Sequence, residues 1–239
     1  MAPVRYPHRA TKRLEDLDPL NGPKLHDRIY TDILIAGATY SRATAEEHRA
    51  GTDLLGTLME IHQDYSDEAG PFGDPFGEYL ECNNQTSERN GQFFTPVSVV
   101  DMMVEMTFAD TDLQGDPVTI CDPAAGTGRF MLRTARHFAK ENHGALNFLF
   151  TNVDLDRRAF IYCTANAILT GIPAFHLWGN SLKVEIFDAF ATLPMCPGLT
   201  LWERLPRSTA KSLLVMAANT AEKPIPEETV QTYLGGEPA

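Results

Sequence analysis

The 239-residue chain has only four cysteines, Cys82, Cys121, Cys163 and Cys196, and no Cys-x-x-Cys pair among them. That argues against a disulfide frame or a zinc site and predicts reduced thiols with no metal-ligand set. No apolar run approaches the length of a membrane span or a signal-peptide core, so the expectation is a cytoplasmic protein with no membrane partner. A phosphate loop of the G-x-x-x-x-G-K-[ST] type is absent as well, which removes the commonest nucleotide-triphosphate reading. Basic residues are scarce: 20 Lys and Arg stand against 32 Asp and Glu, for a formal net charge of −12. A protein that grips duplex DNA by itself normally carries a basic patch, because phosphate neutralisation supplies most of the affinity. Either a partner reads DNA for this chain, or nucleic acid is not its substrate.

What the chain does carry is centred on Ile120 to Phe130, reading Ile-Cys-Asp-Pro-Ala-Ala-Gly-Thr-Gly-Arg-Phe. A β-branched run (Val118, Thr119, Ile120) ends in an acid, passes through small residues and opens into a helix with Phe130, Met131, Phe138 and Ala139 as its apolar set. Gly126 and Gly128 bring no side chain between the backbone and a ligand, and amides at a helix start favour a polar or anionic group. Asp122 sits at the carboxyl end of the strand, where open α/β sheets bind ligands, so the ligand is expected to carry a cation too. A dinucleotide fold is the rival, but the third glycine of G-x-G-x-x-G would fall on Met131, and an acid before the glycines would repel a pyrophosphate.

The length suits one α/β domain with an appendage. Residues 1–28 mix basic, acidic and proline positions and read as a flexible arm. Residues 29–90 read as a helical region, with Leu54, Leu55, Leu58, Met59, Ile61 and His62 on one stripe, His62 being a packed histidine rather than a ligand. Residues 91–220 form the α/β domain and 221–239 a tail. Thr95 is placed to cap a helix with Pro96 in its first turn and Val100, Met103, Val104 and Thr107 inward. Asn147 to Val153 reads as a second strand leading into Asp154-Leu155-Asp156. Asp156 reads as the N-cap of a helix from Arg157 to Thr170 that turns Phe160, Cys163, Ala167 and Ile168 inward and stops at Gly171. Ala174 to Trp178 reads as a third strand, Leu199 to Trp202 as another, and Ser208 to Ala218 as a last helix.

Asp122-Pro123-Ala124-Ala125-Gly126-Thr127-Gly128-Arg129-Phe130 resembles motif I, the cofactor loop, of adenine-specific DNA methyltransferases, above all the modification subunits of type I restriction systems. Upstream, Gly91-Gln92-Phe93-Phe94-Thr95-Pro96 resembles motif X of the same enzymes. The similarity covers about residues 70 to 182. It implies a class I S-adenosylmethionine-dependent methyltransferase fold, Rossmann-like, with a helical N-terminal region and S-adenosylmethionine as cofactor. Asp122, Ala124, Gly126, Thr127 and Gly128 would lie at the methionine end, with Gln92, Phe93, Phe94, Thr95 and Pro96 closing over it. Asp154 matches motif II, whose acid takes the ribose hydroxyls, with Leu155 against the adenine ring. Asn180 stands where the family usually has an aspartate that accepts a bond from the adenine amine; an asparagine carbonyl is an uncharged acceptor there.

The family's Asn/Asp-Pro-Pro-aromatic motif, which holds the flipped adenine, is missing. At about its expected place the chain reads Leu193-Pro194-Met195-Cys196-Pro197-Gly198, and Pro-Pro occurs nowhere. Beyond Gly198 the chain is too short for the later strands and a DNA-reading domain, so the resemblance is to the cofactor half, with an incomplete sheet and no assignable catalytic residues. Two readings follow: an enzyme component that needs a partner, a methyltransferase or specificity subunit or another copy of itself, or a catalytically inactive scaffold, sensor or restriction-modification decoy. Stand-alone methylation of DNA is not expected.

Overall fold

The computed structural model describes residues 7–18, 24–83, 95–108, 118–140, 148–196 and 199–219. Five strands form one mixed sheet in the order β1 (Val118–Asp122), β2 (Phe148–Asp154), β3 (Ala174–Asn180), β4 (Glu185–Cys196), β5 (Leu199–Arg204). The first three run parallel, in register Val118↔Phe148 and Phe150↔Ala174, whereas β4 turns back antiparallel on β3 and β5 antiparallel on β4. Parallel strands need crossover helices, and α6 (Arg129–Lys140) and α7 (Arg157–Thr170) supply them. Side chains alternate across β2: Phe148 and Phe150 join one core cluster with Met131, Leu132 and Phe138 of α6, while Val153 joins another with Leu213 and Leu214 of α8 (Arg207–Asn219).

The N-terminal region differs from the expected arm. Residues Arg9–Asp16 form helix α1, whose Ala10, Thr11 and Leu14 are buried at helical spacing. It docks on α3 (Ala45–Ala69) and α4 (Pro75–Cys82). Glu78 anchors it by accepting from the Thr11 hydroxyl at 2.7 Å and the Tyr65 hydroxyl at 3.1 Å. Short helix α2 (Leu25–Arg28) continues into a π-helical run, Ile29–Ile35, and Thr44 with Glu47 closes a capping box at the start of α3. Along α3, Leu54, Leu58, Ile61 and His62 are buried, but Met59 faces outward.

Two helix faces also need correction. In α5 (Val97–Phe108) the inner residues are Val100, Val104 and Phe108, at i, i+4, i+8, and both Met103 and Thr107 are exposed. Pro96, not Thr95, takes the N-cap place, since its carbonyl accepts the Val100 amide at 3.1 Å. In α6 the expected Ala139 lies exposed, with Leu132 and Ala135 in the core instead. The expected cap of α7 is present: Asp156 accepts from the Arg158 and Ala159 amides, and Gly171 adopts φ 68° at the C-terminal end.

β4 is the element least visible in the sequence. Its buried Asp188 interrupts the apolar pattern, and accepts from the Tyr30 hydroxyl at 2.5 Å and from Arg204 Nε at 2.9 Å. Because β4 forms a hairpin with β3, Glu185 faces Asn180 and Thr192 faces Ala174. Leu193 to Cys196 therefore lie beyond the amino end of β3, opposite to the carboxyl ends of β1 and β2. No helix among the described residues is long and apolar enough to cross a membrane.

Candidate functional site

The carboxyl ends of the parallel strands bring Asp122, Ala124, Gly126, Thr127, Gly128, Asp154 and Leu155 to one end of the sheet, with Asn180 at the end of the next strand. Asp122 turns the chain by accepting the Ala124 amide at 3.1 Å. Gly126 and Gly128 then take φ of 57° and 86°, a region that L side chains rarely adopt. A Cβ on Gly128 would lie 2.8 Å from Cys163 Sγ, so this glycine also lets the start of α6 close on α7.

Asp154 ties the loop to the second strand. Its Oδ2 accepts the Gly126 amide at 2.7 Å and its Oδ1 the Asp156 amide at 2.8 Å, while the Ala125 amide reaches the Val153 carbonyl at 3.0 Å. Each carboxylate oxygen keeps a second lone-pair direction, so Asp154 can still accept from a ligand. Burial pushes the Asp122 and Asp154 carboxyls above the ordinary carboxylate range, and for Asp154 the neighbouring charges of Asp156 and Asp122 add to it. A ligand that brings hydroxyl donors and a positive charge would relieve both groups. Asp156 is held low instead, because the Arg158 guanidinium and two amides outweigh its burial.

The crevice beside the loop is lined by Ala125, Gly126, Asn152, Val153, Asp154, Phe160, Cys163, His176 and Leu177, which close on one another and leave no enclosed space for a water-sized group. A nucleoside-sized group would therefore lie over the strand ends toward the exposed Leu155 rather than in a closed cavity. Cys163 Sγ and His176 Nδ1 are 3.6 Å apart on its floor. Burial pushes the thiol up and the imidazole down to about 3, which leaves both neutral and makes the pair packing rather than an activated nucleophile.

Sequence reading missed the support beneath the loop. Asp74, buried at the N-cap of α4, accepts from the Gly77 amide (2.9 Å), Thr127 Oγ1 (2.6 Å), Asn166 Nδ2 (3.0 Å) and Arg129 Nε (3.2 Å). Arg129 extends the network to Glu81 and the Thr95 carbonyl, each at 2.8 Å. The Thr127 side chain is thus directed into the protein, 1% exposed, and only its backbone faces the loop. The Asp74-Pro75 pair is the one signal that could have revealed the hub, as a helix start with an acidic cap. Leu155 presents its side chain at the rim, and its carbonyl accepts from Trp178 Nε1 at 3.1 Å. Asn180 Oδ1 accepts the Lys183 amide at 3.1 Å in the β3–β4 turn, so part of its acceptor capacity goes to the hairpin. Gln92, Phe93 and Phe94 lie outside the described residues, and Thr95 and Pro96 are exposed at the start of α5.

Comparison with protein families matches residues 68–194 to the family described as N-6 DNA Methylase. No curated protein and no solved structure matches the chain. The family match covers more than half of the 239 residues and spans α4, the glycine loop, both strand-end acids and most of β4. The chain belongs to the N-6 DNA methylase family.

Proposed function

We propose that this protein binds S-adenosylmethionine on a class I, Rossmann-like methyltransferase sheet and serves adenine-specific DNA methylation as a cytoplasmic component that needs a protein partner for DNA reading and catalysis. The single observation that carries the division of labour is the course of β4. The cofactor end of the sheet keeps a glycine loop and two acids, whereas the stretch Leu193 to Cys196 is carried to the opposite end by the hairpin with β3. Over the seven residues of β3 that separation is ~20–25 Å, too far for those side chains to hold a base beside a methyl donor. They offer no Asn or Asp acceptor and no aromatic in any case.

The residues present fit such a cofactor in their chemistry. Asp154 retains acceptor directions for ribose hydroxyls, Leu155 offers an exposed apolar contact for a ring, and Asp122 contributes negative charge near the loop that favours the ammonium and sulfonium charges. When bound, S-adenosylmethionine would supply an electrophilic methyl group; the chain's own residues would bind and orient it. The net charge of −12 supports delegating the DNA contact to a partner such as a methyltransferase or specificity subunit of a type I restriction-modification system.

The same placement of β4 also suits a second reading, a catalytically inactive sensor, scaffold or restriction decoy that keeps the cofactor crevice alone. Calorimetric titration of S-adenosylmethionine and S-adenosylhomocysteine tests the shared premise, and absence of saturable binding overturns both cofactor readings. Methyl transfer to DNA by the purified chain alone would overturn the need for a partner. Activity that appears only on adding a modification or specificity subunit supports the first reading, and binding that never leads to transfer supports the second.

A further inference from the structure

Trp178 of β3 lies in register with Asp154, and its indole reaches the next residue along the neighbouring chain. Its Nε1 donates to the Leu155 carbonyl at 3.1 Å. At the other side of the same peptide unit, the Asp156 amide donates to Asp154 Oδ1 at 2.8 Å. The plane between Leu155 and Asp156 is thus pinned at both its oxygen and its hydrogen, which point in opposite directions in a trans unit. Fixing that plane fixes ψ of Leu155 and φ of Asp156. With them it fixes the side from which the Leu155 side chain, 57% exposed, leaves the turn.

The indole is held by its neighbours rather than offered to a ligand. Phe160 stacks with it at a centroid distance of 6.5 Å, and Phe187 meets it edge-on at 5.3 Å. The Arg157 guanidinium stands 5.9 Å from its centroid and 4.5 Å from that of Tyr30. An ion pair with Asp27 at 2.7 Å fixes that guanidinium, and Tyr30 donates to the buried Asp188 at 2.5 Å. Residues of α7, of β4 and of the N-terminal helical region therefore converge on one ring. An indole has a single N–H to donate, and here it goes to one backbone carbonyl.

We propose that Trp178 is a positioning residue for the cofactor's base: it sets the Leu155 side chain as the apolar rest on which an adenine ring lies. The assignment rests on the S-adenosylmethionine reading of the crevice and deepens it at the base end. Asp154 joins the two ends, its Oδ2 holding the Gly126 amide of the loop and its Oδ1 the Asp156 amide next to Leu155. A ribose on Asp154 sends its base over the strand ends, where no closed cavity holds a ring from every side. The exposed Leu155 must therefore be presented at one angle by its own backbone. Dispersion contacts form only at ~3.5–4.0 Å, and a turn free to rotate about one peptide would lose them. Trp178 removes that freedom before the ligand arrives, which lowers the ordering cost of binding.

The test is calorimetric titration of S-adenosylhomocysteine into the full chain and into Trp178→Phe, Leu155→Ala and the double variant. Phenylalanine keeps a ring against Phe160 and Phe187 and removes the donor, and circular dichroism checks the fold. Trp178→Phe is expected to weaken binding ~3- to 10-fold, the range of one neutral hydrogen bond. In the Leu155→Ala background, with no side chain left to position, the same substitution should weaken it less than ~2-fold. A tryptophan that only stabilised the fold would cost the same in both backgrounds, so additive losses overturn the proposal, as does unchanged affinity in Trp178→Phe. Trp202 supplies the control, since its Nε1 also donates to a carbonyl, that of Ile33 at 3.2 Å, but on β5 beside Thr192. Trp202→Phe should hold affinity within ~2-fold, and a loss equal to that of Trp178→Phe overturns the assignment. In Trp202→Phe, Trp178 is the one indole left of two, and its emission should shift on saturation because a base on Leu155 displaces water beside the partly exposed ring. That reading does not depend on Trp178→Phe folding, and unchanged emission while calorimetry records binding overturns the proposal. A wild type that binds no S-adenosylhomocysteine overturns the cofactor reading and this assignment with it, whereas binding with additive losses overturns the assignment alone.

Discussion

The Gly126 amide donates to Asp154 Oδ2 at 2.7 Å, so the glycine loop and the acid of the second strand are one unit. Substituting Asp154 therefore acts twice, on the ligand acceptor and on the loop that frames the crevice. Asp154→Ala is expected to weaken S-adenosylmethionine binding by ~1.5–3 kcal/mol, the usual worth of bonds to a charged group, or about 10- to 150-fold by calorimetry. Asp154→Asn, which keeps a carbonyl for Gly126, should lose less. Unchanged affinity in the alanine variant would remove the ribose assignment.

Asp122 makes the opposite demand on stability. Burial raises its pKa above the unfolded value, and the bond from the Ala124 amide opposes this only in part. A carboxyl whose folded pKa is raised binds more protons folded than unfolded between the two values, so its contribution to stability is best below the ordinary range and is lost as pH climbs through the folded pKa. Asp122→Asn keeps an oxygen for the Ala124 amide and removes the charge. Its melting temperature should exceed that of the wild type at pH 7, and the advantage should shrink toward about pH 4, near the ordinary value for Asp. Thermal melts at the two pH values decide this; an advantage that is larger at the acid end refutes the sign. The same variant should bind S-adenosylmethionine more weakly, which is the signature of an acid retained for a ligand at the expense of stability.

Beneath the loop, Asp74 holds Thr127, Arg129, Asn166 and the Gly77 amide together. Asp74→Ala leaves a buried guanidinium and several donors without their acceptor, and is expected to destabilise the fold by ~3–5 kcal/mol, as removal of one partner of a buried ion pair does. Thr127→Val removes one bond and should cost ~1–2 kcal/mol. Chemical denaturation measures both. A Thr127→Val cost equal to that of Asp74→Ala would mean the hub is not shared as described.

The parts of this architecture that the sequence made legible were those fixed by local chemistry: a β-branched run ending at Asp122, an Asx cap at Asp156, a left-handed glycine at Gly171. Position within one strand or helix is enough to read such signals. What escaped was set by partners distant in the chain. Asp188 reads as a break in a strand until Tyr30 and Arg204 are seen to satisfy it. The basic residues near the N-terminus obscured a helix whose stability comes from Leu14 in the core and from Glu78, 67 residues away from Thr11. Met103 reads as an inward residue because α5 is apolar on two sides, and composition cannot say which stripe meets α6.

Gly128 gives a prediction about close packing rather than ligand contact. Alanine there must hold φ near 86° and place its Cβ 2.8 Å from Cys163 Sγ and 3.0 Å from Met131 Cε. The left-handed backbone costs ~1–2 kcal/mol for an L residue, and forced contact in a packed core adds ~1–3 kcal/mol. Combining Gly128→Ala with Cys163→Ala should recover part of the second cost and none of the first. A double-mutant cycle in which the two substitutions are strictly additive would show that the Cys163 contact is not what excludes a side chain.

The course of β4 yields a negative prediction that is as sharp as the positive ones. Thr192 pairs with Ala174 at the amino end of β3, and Pro194 pairs with Thr200 beyond it. Met195, exposed in this stretch, lies at the wrong end of the sheet to touch anything bound at Asp154. Met195→Ala should leave S-adenosylmethionine affinity within about twofold, which is ~0.4 kcal/mol, in the same titration where Asp154→Ala loses most of it. Were Met195→Ala to weaken binding as much as Asp154→Ala does, the hairpin could not be the arrangement in solution. The strand after β3 would then have to cross to the edge of β1 that no described strand pairs with, and the stretch from Leu193 would become a candidate substrate loop at the cofactor end. Equal binding by the two proteins instead leaves the crevice complete without that stretch, and makes the missing base-holding motif a property of the fold rather than of a few substituted residues.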